Sequence, residues 1–165
     1  ALGFGVDVAQ PVELEGARIS SSAIRAAISG GDMQAARTLL GRPWAIEGVV
    51  QRGFARGRGF GFATANLDLG AYVRPHLGIY AVRVDIGDGR SMPGVASIGV
   101  NPTVGALPEP VLEAHLFDFD DDLYDRSIEV ALVAFLRDEA RFEDIAALKR
   151  QMAQDAQNAR AALKS

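Results

Sequence analysis

The chain contains no cysteine. Disulfides, thiolate-held zinc and thiol catalysis are therefore excluded, and stability has to come from an ordinary packed core. Positive charge is also short: 17 Lys and Arg stand against 21 Asp and Glu, a formal net charge of −4. A duplex nucleic-acid binder normally carries the opposite balance, so that class is disfavoured, although a local basic patch can still hold a phosphate-bearing small molecule. No apolar run approaches the roughly 18 residues of a membrane-spanning helix, and the N-terminus does not read as a secretory leader. These absences fit a reducing, cytoplasmic setting with neither nucleic acid nor membrane as partner. Internal repeats and low-complexity tracts are lacking too.

What remains is ordinary globular material, with 48% hydrophobic and 23% charged residues in 165. That length holds one domain with a full core plus about 40 residues of something else. The chain opens on Ala1 and runs into a strand-like stretch, Leu2–Val8, which reads as the cut end of a longer protein.

Two short helices are expected next. Ser20, Ser21 and Ser22 offer capping oxygens before Ala23–Ile28, which Gly30-Gly31 stops. Asp32 caps Met33–Leu40, with Gly41 and Pro43 closing the segment. From Trp44 the period changes. Trp44–Arg52, Ala63–Leu69, Ile79–Ile86, Met92–Val100, Val111–Phe119 and Ser127–Leu136 are strand-length and rich in β-branched and aromatic residues. Gly87-Asp88-Gly89-Arg90 is a hairpin signal. Glu129–Leu136 is apolar at nearly every position, so both of its faces are expected to be covered. After Phe142, a candidate hydrophobic staple, Ile145, Leu148, Met152, Ala156, Ala159 and Leu163 recur at helical spacing. Six strands and one amphipathic helix predict a closed antiparallel barrel with the helix on its wall.

The richest chemistry lies in Gly53-Phe54-Ala55-Arg56-Gly57-Arg58-Gly59-Phe60-Gly61-Phe62-Ala63-Thr64-Ala65-Asn66. Its glycines let backbone N–H groups approach an anion, and Arg52, Arg56 and Arg58 suit phosphate oxygens. Thr64 and Asn66 face one side of an extended segment and present the hard oxygens that Mg²⁺ accepts. The same stretch also reads as a glycine-rich hairpin with solvated arginines, since it matches neither the Walker pattern nor the dinucleotide fingerprint. On a strand over 112–119, Glu113 and His115 share a face. A carboxylate there could take the proton of an attacking hydroxyl, or the pair could simply be solvated. Asp118, Asp120, Asp122 and Glu129 fit four calcium-loop positions, but Leu123 stands where that loop needs glycine. A turn bonded by its own Asp side chains is the better account. Ile19–Arg25 offers a triphosphate site or ordinary helix capping.

Taken together, the chain resembles the C-terminal half of the bacterial bifunctional riboflavin kinase/FAD synthetase family. The resemblance rests on Gly57–Asn66, Gly78-Ile79-Tyr80, Ser97–Thr103, Glu113-Ala114-His115-Leu116 with Asp122-Leu123-Tyr124, and Leu136-Arg137-Asp138-Glu139 leading to Phe142, all in the family's order. It implies a mainly β fold, a six-stranded antiparallel Greek-key-like barrel with a C-terminal helix, preceded by two short helices. It further implies Mg²⁺-dependent transfer of the ATP γ-phosphate to the 5′-hydroxyl of riboflavin, giving FMN. Glu113 would be the general base, and Thr64 and Asn66 would hold the metal. Gly53, Gly57, Arg58, Gly59 and Gly61 would cover ATP, and Arg137 and Phe142 would lie against the flavin.

Residues 19–43 similarly resemble the end of the adenylyltransferase half. The expected organisation is therefore 1–43 as a fragment of that domain with its linker and 44–165 as the kinase barrel, with FAD formation absent. Ala63 stands where the family has Pro, Ser97 where Asn is usual and Val104 where an aromatic is usual. Asp125 replaces an expected Gly, which predicts a different turn. Two other functions remain open: the same barrel as a non-catalytic flavin or nucleotide binder, or a single-strand nucleic-acid binder using the interleaved Arg and Phe residues of 52–62.

Overall fold

The computed structural model describes residues 3, 5, 7, 10, 12–14, 17–51, 64–100 and 110–164. In chain order these form β1 (Glu13–Leu14), β2 (Ala17–Arg18), α1 (Ser21–Ser29), α2 (Met33–Leu40), β3 (Trp44–Val49) and β4 (Thr64–Asp68). Then come β5 (Gly78–Asp85), β6 (Ser91–Val100), β7 (Pro110–Leu116), β8 (Ser127–Arg137) and α3 (Ile145–Ala162). The protein is mainly β. The small β1–β2 pair has no counterpart in the sequence reading, and the strand expected over Leu2–Val8 falls largely outside the described residues.

Each helix begins where a short oxygen-bearing side chain can accept from a backbone donor left free in the first turn. Ser20 accepts from the Ala23 N–H at 3.1 Å, Asp32 from Ala35 at 2.9 Å and Asp144 from Ala147 at 2.6 Å. Gly41 ends α2 in the left-handed region at φ 73°, which costs glycine nothing.

The six longer strands pair antiparallel in the order β3-β8-β5-β6-β7-β4. β5, β6 and β7 follow one another, and β8 returns to lie beside β5, which is the Greek-key arrangement. The sheet curls into a half-barrel. Its closure is weaker than the sequence predicted: β3 stops at Val49, and only Gln51 reaches across to Asn66 as an isolated bridge among the described residues. The Gln51 N–H donates to the Asn66 carbonyl at 2.9 Å.

Alternation decides which side chains enter the barrel. Ala65, Leu67, Ala96, Ile98, Leu112, Ala114 and Leu116 point inward and are buried, with Tyr80, Val82, Val84, Val130 and Leu132 from the central strands. Ile28, Met33 and Ala36 of α1 and α2 belong to the same buried cluster. The buried Tyr80 hydroxyl donates to the His76 carbonyl, so its burial leaves no orphaned donor.

α3 lies on the outer face of β5, β6 and β8, where Ala159 and Leu163 pack with Ala81 and Phe117. Arg160 stacks over the Phe117 ring at 4.2 Å, and Arg83 donates to the Leu163 carbonyl at 2.9 Å. Val133, Ala134 and Leu136 of β8 join that second cluster, so β8 is covered on both faces as its apolar run predicted. Ile145, assigned from its spacing to the apolar stripe, is 68% exposed, because the stripe meets the sheet only from Leu148 onward.

Two turns settle open readings. Asp122 accepts from the Tyr124 N–H at 2.9 Å, the self-bonded Asx turn expected in place of a calcium loop. Asp125, where a Gly was expected, itself adopts φ 61°. An Asp bears a steric cost there that Gly would not.

Candidate functional site: a row across the outer face

Register places the chemistry. Asn66 pairs with Glu113 across β4 and β7, and Thr64 pairs with His115. Glu113 in turn pairs with Ser97, Ser97 with Ile79 and Ile79 with Arg137. Directly opposed residues share a face, so Asn66, Glu113, Ser97, Ile79 and Arg137 form one row across five strands. The row lies on the outer face, because the intervening residues of β4, β6 and β7 fill the core. From Glu113 to Arg137 it crosses three strand spacings, about 14 Å.

α3 roofs the Arg137 end. Between helix and sheet lies a cavity of about 250 Å³. Its floor carries Ile79, Ser97, Glu113 and His115; its rim carries Arg137, Glu139 and Phe142. Leu148, Met152, Asp155 and Ala156 of α3 close it from above. The volume is just under the roughly 300 Å³ at which small-molecule pockets begin.

Of the residues singled out in the sequence, the structure brings Glu113, Arg137 and Phe142 to this one cavity. Asn66 and Thr64 do not line it but stand beside the residues that do, on the adjacent strand. The Thr64 hydroxyl lies 3.2 Å from His115 Nδ1. Burial lowers the His115 pKa by penalising the charged form, so its imidazole stays neutral at neutral pH and Nδ1 can accept from Thr64. Gly53, Gly57, Arg58, Gly59 and Gly61 lie outside the described residues, as do Arg52, Arg56, Ala63 and Val104.

Arg137 is held firmly. Its Nε and Nη2 donate to the two carboxylate oxygens of Asp155 at 2.9 and 2.6 Å, and Nη1 donates to the Asp138 carbonyl at 2.8 Å. The Phe142 ring lies under the guanidinium, 5.9 Å from its carbon, so Phe142 turns to Arg137. Asp138 also meets His76 Nε2 at 2.7 Å, and the His76 ring packs edge-on against Phe135.

Asp155 was missed by the sequence reading. A signal existed: Leu148, Met152, Asp155 and Ala159 are spaced four, three and four apart, so an acidic residue sits on the buried stripe of a helix. Asp is almost never fully buried without a partner, and that position alone demanded a cation opposite it.

As to a metal, no group of three or more His, Cys, Asp or Glu among the described residues could hold one. The available donors are a hydroxyl, an amide and a carboxylate on one face, with Asn66 and Glu113 directly opposed. This fits Mg²⁺, which takes few protein oxygens and completes its shell with water and phosphate.

The molecule is thus a Greek-key half-barrel whose outer face carries a helix-roofed cavity and a row of amide, carboxylate and hydroxyl side chains. The sequence profile described as "Flavokinase: Riboflavin kinase" matches residues 40–163, and the chain belongs to that family. Three relatives are described as bifunctional riboflavin kinase/FMN adenylyltransferase. That of Pseudomonas fluorescens is 47% identical over 159 residues, 96% of this chain and 51% of the relative. That of Escherichia coli is 44% identical over 96% of this chain and 50% of the relative. That of Bacillus subtilis is 41% identical over 86% of this chain and 46% of the relative. The chain thus spans about half the length of the curated relatives it matches. A solved structure titled as a macrolide-efflux protein from Streptococcus pneumoniae superimposes with a TM-score of 0.79 at 38% identity. It covers 88% of this chain and 47% of that one, and its title speaks only for that protein. Among the described residues no helix is long and apolar enough to cross a membrane.

Proposed function

We propose that the chain is an ATP:riboflavin 5′-phosphotransferase. The observation that carries this reading is the outer-face row, which runs from a hydroxyl–amide pair through an acidic side chain to an apolar, helix-roofed cavity, in a chain of the riboflavin kinase family. The flavin's flat ring occupies the cavity between Phe142, Arg137 and α3, and its ribityl tail follows the row toward Glu113. A length of about 14 Å suits a tricyclic ring with a five-carbon tail.

In the reaction the 5′-oxygen forms a bond to the γ-phosphorus of ATP. The bond from that phosphorus to the β,γ-bridging oxygen breaks, and its electron pair leaves with ADP. The proton of the 5′-hydroxyl passes to the Glu113 carboxylate. Thr64 and Asn66 would hold Mg²⁺, which supplies charge neutralisation at the phosphate oxygens. His115 keeps the Thr64 hydroxyl in place from the neighbouring strand. Gly53, Gly57, Arg58, Gly59 and Gly61 would cover the nucleotide in this reading.

Residues 1–43 would then be the end of an adenylyltransferase domain joined to the barrel that begins at Trp44. Incubation with riboflavin, Mg²⁺ and ATP should yield FMN and no FAD. Retention of flavin without ATP consumption would instead favour a binding module.

A further inference from the structure

Among the described residues Asp155 is the one buried charged side chain, at 4% exposure. Burying a carboxylate is costly unless it is paired and fully hydrogen-bonded, and here both conditions hold. Both of its oxygens accept from Arg137, and the Gln151 side-chain amide donates to Oδ1 at 2.9 Å from one helical turn away. A purely structural pair of this kind could sit anywhere along α3. This one forms a wall of the cavity, because both partners line it.

We propose that Asp155 is a positioning residue for the flavin, fixing the plane of the Arg137 guanidinium as a flat wall against which the ring packs. The proposal rests on the reading of the cavity as the flavin site and adds a residue to it. Three of the guanidinium's nitrogens are tied, two to Asp155 and one to the Asp138 carbonyl, so the plane cannot swing. A guanidinium face stacks well on planar rings, and a planar fork held at its edge keeps that face presented. Asp155 also neutralises the cation, so the wall offers an uncharged ring a stacking surface without drawing an anion into an apolar cavity. Since Asp155 belongs to α3 and Arg137 to β8, the same pair sets the gap between roof and floor.

The test is a double-mutant cycle read by quenching of riboflavin fluorescence, with the KM for ATP measured in parallel. Asp155→Asn and Arg137→Lys should each weaken riboflavin binding roughly tenfold, the scale of one lost charge-assisted bond. The KM for ATP should stay at its wild-type value. The double variant should bind no worse than either single, because both remove one thing, the fixed plane. Asp155→Glu should recover part of the loss.

Unchanged riboflavin affinity in a folded Asp155→Asn protein overturns the proposal, as do losses that multiply in the double variant. Should Asp155→Asn fail to fold on thermal melting, Arg137→Lys keeps both charges and decides alone, with unchanged affinity again the overturning result. Ala140→Trp, an exposed rim position, separates the two levels of the argument. If it leaves riboflavin binding intact, the cavity reading itself fails, whatever Asp155 does.

Discussion

The two faces of β7 differ as sharply as any two regions of the molecule. Leu112, Ala114 and Leu116 on one side are fully buried in the barrel. Glu113 and His115, one residue away on the other, are half-buried and line the cavity. This seven-residue strand therefore lines the core and the cavity at once, and the period of two keeps the two faces apart. The chain can change one face with little effect on the other, which makes the separation testable.

The largest effect should come from the chemical face. Glu113→Gln should lower turnover on the order of 10²–10⁴-fold, the usual share of a positioned base, while riboflavin binding stays intact. An unchanged turnover number would remove Glu113 from the mechanism. Leu112→Ala, its neighbour on the inner face, should cost about 2–5 kcal/mol of stability through the lost transfer energy and the void left behind. Turnover of the folded fraction should be preserved, and a denaturant titration beside a rate assay checks both. If Leu112→Ala disables the folded enzyme, the two faces are not separate.

A finer comparison runs along the row. Asn66→Ala should raise the KM for Mg²⁺-ATP roughly 10–100-fold while leaving flavin affinity alone. A loss confined to flavin binding would put the metal elsewhere. The smallest effect is expected far from both faces. Asp125→Gly should stabilise the protein by about 1 kcal/mol, since the observed φ of 61° is free to Gly and strained for Asp. A lower melting temperature would mean that the Asp side chain compensates its own strain.

Much of this was legible from local rules. The first two helices start at the capping residues expected, the six strands lie where β-branched runs and glycine clusters placed them, and the hairpin at 87–90 turns on Gly87 and Gly89 at φ 80° and 82°. The alternation of Glu113 and His115 against Leu112 and Ala114 placed the first two on one face of their strand, as observed. What alternation could not give was register. Nothing local in Asn66 or Arg137 reveals that they end the same row, because pairing across strands is set by the whole sheet. The bulges in β8 opposite Ile79–Val82 shift the pattern once more, so that Phe135 faces the core while Arg137 faces the cavity. Asp155 was legible only through its spacing with Leu148, Met152 and Ala159 on the apolar stripe, a fainter signal than the alternation of a strand.

The isolated bridge between Gln51 and Asn66 also matters for how the two ends of the row keep time. Among the described residues β4 has one full neighbour and that single bridge, whereas β8 is flanked by β3 and β5 and clasped by α3. Amide protons of β4 are therefore expected to exchange with deuterated water before those of β8. The α3 end of the row is a standing mould, and the β4 end a hem held by fewer stitches.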